Sequence, residues 1–102
     1  MDYKTDIAKY TASINDKAVD AIVKFCGIAL QSRDASLVAC TDEAEVDRIR
    51  KGFATKILGL NEAESDKIIK QVCEQMKADK TKHRVTFYYL MAEATGKVGA
   101  IA

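Results

Sequence analysis

The sequence predicts an all-α fold, a compact array of about five helices around a central apolar helix, Asp16–Gln31. Three observations predict it. No proline occurs in 102 residues, so the main helix breaker is missing. Apolar residues recur at every third or fourth position through most of the chain, the period of a half-buried helix. Cap residues (Asn15 or Asp16, then Asp42 and Asn61) stand at the breaks, where a side-chain oxygen can accept the free amide protons of a first turn. A chain of this length encloses one core, so residues 1–102 are read as a single small helical domain.

Tyr3, Ile7, Tyr10 and Ile14 trace one face of a first amphipathic helix, ending in Ser13 to Asp16. The central helix follows. Its stretch Ala18 to Leu30 is the most apolar run in the sequence and is broken only by Asp20 and Lys24. A helix that is apolar all round must be buried all round. Gly27 lies within it, and its absent side chain predicts a tight crossing by another backbone. Ser32 to Cys40 is read as a connection with a short helical turn over Ala35–Ala39, because a lone strand at Leu37-Val38 would have no partner. Asp42, with Glu45 three residues on, approximates a capping box. It opens a helix striped by Val46, Ile49, Phe53 and Ile57 and closed by a left-handed Gly59. Asn61 and Glu64 make a second box before Ile68, Ile69, Val72, Cys73 and Met76. Thr81 is placed to cap a last helix carrying Val85, Phe87, Tyr88, Leu90, Met91 and Ala92, which Gly96 stops. The tail after it is expected to fray or dock loosely.

Sixteen basic residues against 15 acidic ones give a net charge of +1. That balance exerts no general pull toward nucleic acid or acidic membranes. No apolar run reaches the length of a membrane span, and the first ten residues have no signal-peptide core. Cys26, Cys40 and Cys73 are odd in number and far apart. This is not a disulfide framework, and it suits reduced thiols in a cytoplasmic protein.

The chemical signals are weak. Lys80, Lys82, His83 and Arg84, following Lys77 and leading into Phe87, Tyr88 and Tyr89, form a candidate anion-binding loop. The competing reading is a solvated basic loop. Arg33 and Asp34, between Ser32 and Ser36, form a candidate polar loop whose simpler role is a loop-fixing ion pair. Phe53 to Met76 has helix-turn-helix spacing, but Glu62, Glu64 and Asp66 would face phosphates, so it reads as a plain hairpin. Cys26, Cys40, Cys73 and His83 lack the close pair of a zinc site. No nucleophile elbow, phosphate loop or paired carboxylates occur. The expectation is a non-enzymatic protein without cofactor or metal, which binds a protein partner or itself through the Tyr3, Ile7, Tyr10 face. Anion or nucleic-acid binding through Lys80–Arg84 is the alternative.

The strings SRDASLVACTDEAEVDRIRKGF, KILGL and VCEQMKADKTKHRVTFYYLMAE together resemble the domain-of-unknown-function family 2853. The resemblance spans about Ile22 to Glu93. It implies a small, bacterial, all-helical protein and supplies no catalytic, cofactor or ligand residue.

Overall fold

A computed structural model describes residues 3–31 and 36–102, with only the backbone of Ile28 and Ala29. The fold is all-α. Its elements are α1 (Tyr3–Ile7), α2 (Asp16–Cys26), a 3-10 turn (Gly27–Gln31), α3 (Glu43–Ile49) running into a π-helical segment (Arg50–Ile57), α4 (Glu62–Gln75), α5 (Arg84–Ala94) and α6 (Val98–Ile101). No β-strand forms among the described residues. None of the helices there is long and apolar enough to cross a membrane.

The helix wrapped on every side is α5 rather than the expected Asp16–Gln31. Every residue from Arg84 to Ala92 is buried, and α1, α2, α4 and α6 all pack against it. Its polar groups find partners inside, which is what permits burial all round. Thr86 Oγ1 donates to Asp6. Tyr89 Oη accepts from the Asn15 amide at 2.9 Å and donates to the Ser13 carbonyl at 3.2 Å. By contrast, α2 is amphipathic. Ala18, Val19, Ile22 and Cys26 are buried, while Asp20, Lys24 and Phe25 face solvent.

Gly27 ends α2 instead of sitting inside a longer helix. Its φ is +48°, and a Cβ there would meet nothing within 4 Å. A conformation costly to L residues, rather than a close crossing, is therefore the reason for glycine. Asn15 caps α2 through the Ala18 amide, and Asn61 with Glu64 forms the full capping box of α4. Gly59 and Gly96 take the left-handed conformation at the ends where they were expected.

The stripe at Val46, Ile49, Phe53 and Ile57 fails at its last member. From Arg50 the chain winds with i to i+5 backbone bonds, ending with the Leu58 amide on the Phe53 carbonyl at 3.1 Å, and the Thr55 hydroxyl separately donates to the Arg50 carbonyl at 2.7 Å. This winding aligns Ile49 with Ala54 and Phe53 with Leu58, all buried, and turns Ile57 outward.

The segment 36–40 is not helical. Leu37 pairs with His83 in an antiparallel bridge, through Val38 N–H to Lys82 O and Arg84 N–H to Ser36 O, both 2.8 Å. The partner that Leu37 seemed to lack is thus the start of α5, which His83 rather than Thr81 precedes as N-cap residue. Cys40 and Cys73 form a disulfide, with Cα atoms 6.0 Å apart. This corrects the expectation of separate thiols, since 33 residues of sequence separation hide a spatial contact. The tail forms α6 and docks on α2 and α5, with Val98 and Ile101 against the core.

The Tyr3, Ile7, Tyr10 face, expected to meet a partner, is part of the core packing. Ile7 is fully buried, with Tyr3, Tyr10 and Ile14 half-buried around it. Asp6 fastens it from below, paired with Lys9 at 2.7 Å. Lys9 and Tyr10 both reach Asp79 Oδ2, at 3.1 and 2.9 Å.

Candidate functional site

The basic run before α5 does not form one cluster. Lys80 is exposed. Lys82 Nζ donates to the Asp79 carbonyl at 2.9 Å, and the His83 ring lies edge-on to Tyr3 at 6.4 Å. Arg84, the first residue of α5, turns inward and is 4% exposed. Arg33 and Asp34 lie outside the described residues.

Inside, Arg84 is held from three elements. Nη1 donates to Tyr88 Oη at 2.9 Å, one turn along α5. Nη2 donates to the Leu37 carbonyl at 3.2 Å and forms an ion pair with Glu45 Oε1 of α3 at 2.5 Å, a close contact off the hydrogen-bond line. Glu45 Oε2 lies 3.5 Å from Arg48 on the surface. Glu45 thus abandons the return contact of a capping box. Asp42 alone serves the first turn, accepting from the Ala44 and Glu45 amides. Burial works against the Arg84 charge, but Tyr88 and Glu45 outweigh it and raise its pKa. Burial raises that of Tyr88 despite the neighbouring guanidinium. The nearby Cys26 thiol is buried and unbonded, and burial, partly offset by Arg84, pushes it up to about 11. A thiol in that state is a packing group rather than a nucleophile.

Three aromatic rings cover this ionic centre. Phe53 from the π segment stacks on Tyr88 with centroids 4.3 Å apart, and Phe25 from α2 tilts against both, at 5.6 and 6.3 Å. Two hollows share the Phe25 and Phe53 walls. One, about 210 Å³, is bounded by Cys26, Arg48, Gly52, Arg84 and Tyr88. The other, about 280 Å³, runs between Ala21 and Ile22 of α2, Lys56 and Ile57 of the π segment, and Ala100 and Ile101 of α6. Phe25 and Ile57 are the large apolar side chains left exposed among the described residues, at 41% and 38%. Four elements therefore build an apolar face with Arg48 and Lys56 at its edge.

The sequence placed none of this. The Arg84–Glu45 pair joins residues 39 apart, and Glu45 carried a simpler local role. The outward turn of Ile57 depends on a winding that a fixed helical period cannot reveal. The one signal in the sequence was Arg84 at the head of a largely apolar helix, a charge that needs a buried acid to be accommodated there.

No curated protein matches the chain. A family model described as "Protein of unknown function (DUF2853)" matches residues 2–99, nearly its whole length. The chain therefore belongs to the DUF2853 family.

Proposed function

We propose that the protein is a non-enzymatic binding module, and that it takes an acidic amphipathic helix of another protein on the face formed by Phe25 and Ile57. The exposure of these two residues on one groove carries the reading, because large apolar groups gathered at a hollow mark interaction surfaces. Charge selects the occupant. Lys56 lines the groove without an ion pair among the described residues, and Arg48 stands at the neighbouring hollow. On α2, helical spacing sets Lys17 and Lys24 beside Ala21, with Asp20 beyond that lysine row. A two-fold contact with a second copy would bring these cations together, which favours a different, acidic partner. The alternative of anion capture by Lys80–Arg84 loses support because Arg84 is occupied by Glu45 and Tyr88.

The test is selection from a displayed library of random helical peptides. Enriched sequences should show apolar residues at i, i+3 or i+4, and i+7, flanked by Asp and Glu. Phe25→Ser and Ile57→Ser should each weaken their binding at least about tenfold, the order expected for a buried apolar anchor, with unchanged circular dichroism. Absence of such a consensus, indifference to both substitutions, or a dimer in sedimentation that Phe25→Ser dissolves would each overturn the reading.

A further inference from the structure

We infer that the Cys40–Cys73 disulfide is an exchange site for an anionic low-molecular-weight thiol, with Cys40 the sulfur attacked. Cys40 and Cys73 are both half-exposed, but Cys40 lines an open hollow of about 470 Å³ together with Lys80 and Lys82, while Cys73 is not among its walls. Neither lysine forms an ion pair among the described residues. Asp79 gives Oδ2 to Lys9 and Tyr10 and Oδ1 to the Thr81 amide, and Lys82 meets only its carbonyl. Asp42 is engaged by the first-turn amides of α3. A thiolate that carries further negative charge is therefore drawn toward Cys40 more strongly than one balanced by an ammonium group.

The exchange needs no further oxidant. The incoming thiolate sulfur attacks Cys40 Sγ and forms a mixed disulfide. The Cys40–Cys73 bond breaks with its electron pair on Cys73 Sγ, which takes a proton from water. A second thiolate then attacks the sulfur of the bound thiol. It leaves as the symmetrical disulfide, and Cys40 is released as a thiolate. Two small thiols are oxidised as the protein bond is reduced, and the reverse sequence closes it. The structural consequence is local. The bond ties the segment carrying Leu37, whose carbonyl binds Arg84, to α4, so opening it frees that segment at one end.

The experiment incubates the purified oxidised protein with glutathione, whose attacking thiolate is doubly negative, and with cysteamine, whose ammonium group leaves its thiolate net neutral, at matched thiolate concentration. Adducts are followed by intact mass and located by peptide mapping. Glutathione should react faster and appear on Cys40. In Lys80→Glu/Lys82→Glu its advantage over cysteamine should fall about tenfold. Lys80→Glu alone, which leaves the Lys82 contact intact, should give an intermediate fall. An adduct on Cys73, a ratio indifferent to both variants, or three free thiols in the untreated protein would overturn the assignment.

Discussion

Arg84 carries a full charge 4% exposed, and among the described residues Glu45 is the carboxylate that faces it. Tyr88 and the Leu37 carbonyl supply hydrogen bonds, and Glu45 supplies a compensating charge. Removing one partner of a buried pair leaves the other desolvated and unbalanced, which costs more than the pair itself contributes. Glu45→Ala should therefore lower the unfolding free energy by about 3 kcal/mol, read from denaturant midpoints at constant slope. Glu45→Ala/Arg84→Met should recover much of that loss, because no charge is then stranded. A loss below about 1 kcal/mol for Glu45→Ala, within the range of surface pairs, would mean that Arg84 is solvated and that the buried pair does not organise this region. Lys9 is a contrast. It lies on the surface between Asp6 and Asp79, and its contribution is screened by water.

At the scale of elements, the π segment decides which side chains meet the core. An α-helix from Ile49 would bury Phe53 and Ile57, and the wider winding buries Phe53 and Leu58 instead. Leu58→Ala should cost about 2–5 kcal/mol, as for a leucine deleted from a packed core, whereas Ile57→Ala should change stability by less than about 1 kcal/mol. Thermal or denaturant unfolding of the two variants checks this, and the reverse order would restore the α register. The same element marks where the sequence was legible. Features set within one turn were readable: the cap at Asn61, a cap at Asn15 or Asp16, the left-handed Gly59 and the stop at Gly96 need only nearby residues. Features settled by distant contacts were not. The bridge of Leu37 to His83, the disulfide, and the choice of α5 over α2 as the wrapped helix all depend on residues remote in the chain. Phe25 shows the cost to the candidate site. It was counted into a helix buried on every side, and it is the exposed centre of the apolar face.

Across the whole molecule, full or partial burial favours the neutral form of several weak acids, and this sets how stability depends on pH. The Cys26 thiol, ordinarily ionising at 9.0, is pushed up to about 11 by burial. Tyr10 rises to about 12 through burial and its hydrogen bond to Asp79, and burial also raises Tyr3 and Tyr88. For each of these the folded chain keeps a proton that the unfolded chain has already released. Between the two pKa values the unfolded state binds fewer protons, so the unfolding free energy falls as pH rises. Lys9, raised by its bonds to Asp6 and Asp79, loses its stabilising charge in the same direction. Asp79, lowered by Lys9 and Tyr10 against the opposing effect of burial, acts at the other end and loses stability as pH drops through the carboxylate range. Stability should thus hold between about pH 5 and 8 and decline above 9, where Cys26 starts first and the tyrosines follow. The Cys26 share is about 2 kcal/mol. Unfolding of wild type and Cys26→Ala under non-reducing conditions at intervals from pH 7 to 11 separates the contributions. The variant loses packing at every pH, so the informative quantity is the slope. Between pH 9 and 10 both should fall, because the tyrosines of the unfolded chain begin to ionise there, but the wild type should fall more steeply, and its slope should stay the steeper one until the pH passes about 11. Equal slopes from pH 9 to 10 would show that the thiol ionises alike in the folded and unfolded chain, and that the space between Phe25 and Arg84 is wet rather than sealed.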